Sequence, residues 1–301
     1  MSQSTRILVT GLSGFLGRAL AQEAPANAEL IGTTRLLAGN EPADRSASWA
    51  ECDLEDPADV ERCLELTSPD VVIHAAGEAN VDNVQRSPLG GISSNAIATM
   101  NIANACARRD IHLLYISSNA VFSGEDAPYA EDSAANPVNH YGLVKLVSER
   151  IAVELNPRTT VVRPILMYGW NDEGGRSNPV LMTINRLTNG EPIQMVDDVF
   201  ENPLYVRDCA AAIWKIVAGS NLGVFHLAGG TQVNRYELAI ATAREFGLDE
   251  ALIGSVHSDA FPTIAPRPAN TTFITERMEE VLQLKPSSLE SGLALMHSHE
   301  Q

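Results

Sequence analysis

The chain's fold is limited first by its opening residues. Arg6-Ile7-Leu8-Val9-Thr10 is a short apolar run rich in β-formers, and it leads into Gly11-Leu12-Ser13-Gly14-Phe15-Leu16-Gly17 and a helical pattern from Arg18 to Gln22. Strand, glycine turn and helix in that order aim backbone N–H groups and a helix N-terminus at one spot, an arrangement suited to a pyrophosphate. Gly11 permits the tight turn, Gly14 lets phosphates approach the backbone, and Gly17 lets the helix pack closely on the strand. Residues 11 and 13–17 are therefore expected to cradle a dinucleotide.

The stretches that follow alternate between β and α patterns. Glu29 to Thr33 reads as a second strand ending in Thr34-Arg35, where a guanidinium suits a 2′-phosphate and so favours NADP over NAD. Asp53-Leu54 closes a third short strand. There a carboxylate either accepts from an adenine amino group while the leucine covers the ring, or belongs with Asp56 and Asp59 to the cap of the next helix. Asp70 to His74 is another strand, continued by Ala75-Ala76-Gly77, residues too small to obstruct a cofactor. His74, at a strand end beside small residues, reads as structural rather than catalytic. A helix is expected over Asn95 to Arg109, with Asn95 placed to orient a polar group near the site. This rhythm predicts an α/β fold, a Rossmann-type doubly wound parallel sheet over residues 1–168. A smaller C-terminal α+β substrate lobe is expected over 169–301, with a segment near 200–228 returning to the sheet.

Leu113-Leu114-Tyr115-Ile116 reads as a buried strand that releases Ser117-Ser118-Asn119 at its carboxyl edge, where ligands of open α/β sheets bind. Downstream, Tyr141 and Lys145 stand four residues apart in the first turns of a helix, a spacing that stacks them on one face. A phenol with an ordinary pKa of about 10 is a poor proton carrier at neutral pH, but a fixed cation nearby favours its phenolate. Such a tyrosine becomes a usable general acid or base.

Composition excludes several classes. Thirty-eight acidic residues against 21 basic give a formal charge of −17 and disfavour nucleic acid as a partner. No apolar run approaches the roughly 18 residues of a membrane span. The N-terminus lacks leader-peptide composition, and Cys52, Cys63, Cys106 and Cys209 are scattered without disulfide or metal-ligand spacing. A reduced cytoplasm is the expected location, and no metal site is expected.

Together, Thr10-Gly11-x-x-Gly14-x-x-Gly17, Asp53-Leu54, His74-Ala75-Ala76-Gly77, Ser118 and Tyr141-x-x-x-Lys145 resemble the extended short-chain dehydrogenase/reductase family over nearly the whole chain. Within it, Ser117 to Gly124, Tyr129-x-Glu131, Pro137 and Tyr141-Gly142 are similar to the branch containing dTDP-4-dehydrorhamnose reductase. That branch also includes the NADP-binding regulatory subunit of methionine adenosyltransferase. Asn202 to Asp208, Gly223 to Gly229 and Ala265 to Asn270 carry the same similarity.

The resemblance implies that Tyr141 transfers a proton. It further implies that Lys145 lowers the phenol's pKa and bonds the nicotinamide ribose, while Ser118 holds the substrate oxygen. Ser118 is selected over Ser117 by register against Val121-Phe122. The expected cofactor is NADP(H), with NAD(H) also accommodated, and the expected substrate is a keto group on a nucleotide-activated sugar, best a 4-keto-6-deoxy-hexose. Expected substrate contacts are Ser118, Asn119, Tyr141, Asn202, Arg207 and Arg267, with Arg176 a further guanidinium for a diphosphate. A homodimer is compatible with this reading.

Two departures leave the sugar open. Asn119 stands where the rhamnose reductases usually have aspartate, and Leu166 where they tend to have tryptophan. The Asp-Glu pair expected of sugar-nucleotide dehydratases is absent, so dehydration is not expected. Rival readings are a C4 epimerase with bound NAD and a non-catalytic NADP-binding subunit.

Overall fold

The computed structural model describes residues 4–35, 47–171, 177–261 and 264–299. The first half runs β1 (Thr5–Thr10), α1 (Phe15–Gln22), β2 (Ala28–Thr34), β3 (Ser48–Glu51), α2 (Pro57–Thr67) and β4 (Val71–His74). It continues through α3 (Val81–Arg86), α4 (Pro88–Gly91), a π-helical turn (Ile92–Ile97), α5 (Ala98–Ala107), β5 (His112–Ile116), α6 (His140–Leu155) and β6 (Thr159–Pro164). The second half comprises β7 (Met167–Tyr168), α7 (Pro179–Thr188), β8 (Ile193–Val196), β9 (Phe200–Glu201), β10 (Leu204–Tyr205) and α8 (Val206–Gly219). After these come β11 (Gly223–Leu227), β12 (Val233–Asn234), α9 (Arg235–Glu245), β13 (Ile253–Val256), α10 (Glu276–Leu282) and α11 (Leu289–Ser298).

Among the described residues the main sheet has seven strands in the order β11-β6-β5-β4-β1-β2-β3, every neighbouring pair parallel. Chain order reverses between β1 and β4, and the crevice beyond the carboxyl ends of those strands is where such sheets bind ligands. The central strands are largely apolar and buried because helices cover both faces. Alternate residues divide between the two layers. Ile7, Val9, Ile73, Leu114 and Val162 pack with Leu20 of α1 and Ile213 of α8 on one face. Leu8, Val72, Leu113 and Tyr115 pack with Leu64 of α2 and Ile102 of α5 on the other. A separate small core of Leu187, Ile193, Met195, Ala239, Ala243 and Ile253 holds α7, β8, α9 and β13 together.

The helix expected from Asn95 begins earlier, at Pro88, and passes through the π turn before α5. Proline at the first helical position starts it, and two glycines at 90 and 91 hide its pattern from a periodicity reading. No helix among the described residues is long and apolar enough to cross a membrane.

The entry of α6 is fixed by two contacts. The side chain of Asn139 caps it, accepting from the Gly142 amide at 2.8 Å. Gly142 then lies so close to the 3₁₀ turn at Asn119–Val121 that a Cβ there would stand 2.0 Å from the Ala120 carbonyl oxygen. Gly142→Ala must displace one backbone segment from the other. Thermal or urea unfolding is expected to register a loss of about 1–3 kcal/mol, the usual range for overpacking.

Candidate active site

The glycine turn folds as its sequence predicts. Gly11 adopts φ +76°, in the left-handed region, and the Gly14 amide donates to the Gly11 carbonyl at 2.9 Å. Gly17 faces the loop's own backbone, with a Cβ position only 2.3 Å from the Gly11 carbonyl oxygen, so α1 packs as closely as a glycine allows. Arg18 pins the loop by donating to the Ser13 carbonyl at 2.8 Å. Phe15 and Leu16 turn toward the core, and Ser13 and Gly14 remain exposed.

Beside this loop lies a cavity of about 720 Å³ whose wall includes Gly11, Ser13, Arg35, Leu54, Ala76 and Gly77. The adenosine half of a dinucleotide fits such a wall, which offers glycine backbone, an exposed guanidinium and an apolar side chain. Ser118, Tyr141 and Lys145 are not part of it. Arg35 lies 3.6 Å from Glu55 and stays largely exposed. Asp53 is exposed; its carboxylate accepts from the Glu55 amide at 3.1 Å, while Asp56 caps α2 through the Ala58 amide at 2.8 Å. The Ala75 amide donates to the Thr10 carbonyl at 3.2 Å, continuing the sheet ladder.

His74 is fully buried between two threonines. The Thr99 hydroxyl hydrogen goes to the Asn95 carbonyl at 2.6 Å, so Thr99 accepts from His74 Nε2 at 3.2 Å. His74 Nδ1 then accepts from the Thr10 hydroxyl at 2.7 Å, and Thr10 Oγ1 in turn accepts from the Ala76 amide at 3.2 Å. The ring is neutral and structural, its pKa lowered to about 3 by burial and, second, by Lys145. Asn95 holds backbone rather than ligand, donating to Gly91 and Glu78 carbonyls at 3.1 and 3.3 Å.

Helix α6 brings the predicted dyad to the end of β5. Lys145 is buried, donates to the Ile116 carbonyl at 2.6 Å and sits 4.5 Å from the centre of the Tyr115 ring. Burial lowers its pKa to about 7, opposed by Glu149 one turn further along the helix. Tyr141, half-buried, lies one turn before it. Two residues beyond Ile116, Ser118 is buried, accepts from the Ala120 amide and donates to Asn119 Oδ1, both at 3.2 Å.

Sequence reasoning passed over what supports this dyad. Glu149 is buried and accepts from Ser117 of the β5 end and from both Nε (2.9 Å) and Nη2 (2.7 Å) of Arg163 on β6. Arg163 Nη1 donates to His226 Nε2 at 3.3 Å, and His226 Nδ1 donates to the Tyr129 carbonyl at 3.2 Å. That histidine is held neutral, its pKa lowered to about 3 by burial and by Arg163. Glu149 follows Tyr141 and Lys145 at the same four-residue step, the one available signal that it shares their buried face.

The expected substrate contacts are dispersed. Asn202 spends its amide on backbone, donating to the Gly229 and Phe273 carbonyls at 3.1 Å each and accepting from the Phe273 amide at 3.0 Å. Arg207 pairs with Glu23 at the end of α1. Arg267 pairs with Asp82 at 2.9 Å. It neighbours Pro266, whose carbonyl accepts from Asn139 at 2.9 Å, so its segment adjoins the start of α6. Arg176 lies outside the described residues.

Comparison with known proteins points to one family. The RmlD substrate binding domain family matches residues 5–301. The dTDP-4-dehydrorhamnose reductase of Mycolicibacterium smegmatis is 32% identical over 276 residues, covering 90% of this chain and 79% of that protein. Methionine adenosyltransferase 2 subunit beta of Xenopus laevis is 30% identical over 286 residues, covering 92% of this chain and 83% of that one. In fold, the crystal structure of dTDP-4-dehydrorhamnose reductase from Bacillus anthracis in complex with NADP superposes with a TM-score of 0.85, covering 99% of this chain and 100% of that one at 24% identity. The chain belongs to the RmlD substrate binding domain family, a branch of the extended short-chain dehydrogenase/reductases.

Proposed function

We propose that this protein reduces a keto group on a nucleotide-activated sugar, with NADPH preferred over NADH and a dTDP-linked 4-keto-6-deoxy-hexose as substrate. The observation that carries the reading is a buried ammonium, Lys145, one helical turn from Tyr141 and bonded to the strand end that presents Ser118. Burying an ammonium is costly, and a perturbed buried group beside a second titratable side chain at a sheet's carboxyl edge is the pattern expected of a reaction centre. The identity to the mycobacterial reductase supports the substrate class.

Residues 11, 13–17, 35, 53, 54 and 75–77 would hold the dinucleotide, with Lys145 toward its nicotinamide ribose. When bound, that cofactor supplies the hydride. Tyr141 gives its phenolic proton to the carbonyl oxygen as charge develops there, and the ammonium of Lys145 stabilises the phenolate left behind. Ser118 holds the same oxygen, for which its hydroxyl must turn from Asn119. Arg267 is the guanidinium best placed for the diphosphate, because its segment touches the start of α6. A cytoplasmic location fits four buried free cysteines. A homodimer fits the apolar side chains Ile97, Met100, Leu143 and Val147, each 37–48% exposed across the π turn, α5 and α6.

A second reading is a non-catalytic NADP-binding subunit, favoured by the identity to the methionine adenosyltransferase subunit. An epimerase with bound NAD is the third. Absorbance at 340 nm with NADPH and a panel of nucleotide-linked keto sugars separates them. The proposal predicts NADPH consumption with dTDP-4-dehydrorhamnose; stoichiometric NAD retained through purification with no NADPH consumed would favour epimerisation. Tyr141→Phe is expected to lower kcat by about 10²–10⁴-fold, the range for lost general acid catalysis, without weakening NADPH binding. The regulatory reading gains if Tyr141→Phe leaves every measurable property unchanged while pull-down returns a stoichiometric enzyme partner. Arg35→Ala should raise KM for NADPH by about tenfold or more while leaving KM for NADH nearly unchanged, as expected for a lost charge-assisted contact.

A further inference from the structure

Asn119 stands where the main sheet meets the second half of the chain. Its Nδ2 donates to Glu201 Oε1 of β9 at 3.1 Å and to Thr271 Oγ1 at 2.7 Å. Those two bonds fix which way the amide faces, because a carboxylate accepts only. The remaining atom, Oδ1, is thereby turned toward Ser118, whose hydroxyl donates to it at 3.2 Å. Glu201 is itself only 9% exposed, and its other carboxylate oxygen lies 2.6 Å from Arg235 Nη2 at the start of α9. Ser118 thus donates to Asn119 and Asn119 to Glu201, and Arg235 balances the charge of that carboxylate as an ion pair.

We propose that Glu201 and Asn119 are a matched pair of positioning residues that fix the place of the Ser118 side chain, from which its hydroxyl turns to a substrate carbonyl. The inference rests on the reading that Ser118 holds the substrate oxygen. An amide at 119 is required because its partner is a carboxylate. An aspartate in its place would set two carboxylates about 3 Å apart, a spacing at which both cannot be ionised together. The pair would then take up a proton at a pH where ordinary carboxylates have lost theirs.

The test is a cycle of Asn119→Asp, Glu201→Gln and the double variant, assayed with NADPH and dTDP-4-dehydrorhamnose from pH 5.5 to 8.5. Asn119→Asp should lose about tenfold or more in kcat/KM at pH 8 and recover as pH falls, because a shared proton restores the missing donor. The double variant keeps the net charge and reverses the donor direction; it should recover most of the lost rate and lose the new pH dependence. A double variant no better than Asn119→Asp, or an Asn119→Asp enzyme indistinguishable from the parent at every pH, would overturn the proposal.

Thermal unfolding of the same proteins decides the pairing independently of turnover. The raised carboxyl pKa in folded Asn119→Asp means its Tm should rise relative to the parent as pH falls from 8 to 5, and adding Glu201→Gln should abolish that trend. Failure of that trend defeats the pairing. Parental inactivity toward every keto sugar defeats the reductase reading instead.

Discussion

The structure depends on housing one cation in its interior. Lys145 cannot be buried beside an apolar sheet without partners, since an isolated ammonium in a low-dielectric interior costs several kcal/mol. The Ile116 carbonyl, the Tyr115 ring and Glu149 provide them. Glu149 is in turn a buried anion and needs the bidentate guanidinium of Arg163, which directs its remaining N–H toward His226 and the Glu131 carbonyl. Each charge thus calls for the next, and the series stitches α6 to β5, β6 and β11. Removing one member would leave another uncompensated, a loss of about 3–5 kcal/mol in buried pairs generally.

This stitching also sets Lys145 and Ser118 at one end of β5. β5 ends at Ile116, so the carbonyl that anchors the ammonium is two residues from Ser118. Close approach at Gly142 brings the start of α6 against the turn that follows Ser118. The second half of the chain reaches the same point twice, through Asn139 to Pro266 and through Asn119 to Thr271. The cavity beside the glycine turn lies on the far side of the switch between β1 and β4, walled by that turn and the small residues after β4. Anionic phosphates can meet an acidic protein there because backbone amides and local guanidiniums, rather than net charge, define the field at short range.

Local features of this arrangement were legible in the sequence, and distant pairings were not. The glycine turn declares itself because conformation and close packing demand glycine at fixed steps after a strand. Tyr141 and Lys145 declare themselves because helical spacing stacks them. The late strand at residues 223–227 was visible as an apolar run, and it pairs with β6. By contrast, Arg207 reads as an anion-binding residue until the fold sets it against Glu23, 184 positions away. Asn119 was visible as a departure from its relatives, but its partner Glu201 lies 82 residues on, and nothing local couples them. Asn202 is consumed by backbone for the same reason: a buried amide must satisfy whatever carbonyls the tertiary structure delivers.

The central claim, that Lys145 is buried in the interior one helical turn from Tyr141 where desolvation lowers its pKa, can be measured on the side chain itself. The sequence contains only three lysines, at positions 145, 215 and 285, so side-chain ¹⁵N–¹³C spectra of a lysine-labelled sample assign readily with a Lys145→Met control. The Lys145 ammonium should titrate near pH 7, well below the ordinary value of 10.5. Three lysine resonances that all titrate near 10.5, with Lys145 exchanging its protons as fast as the others, would contradict the account.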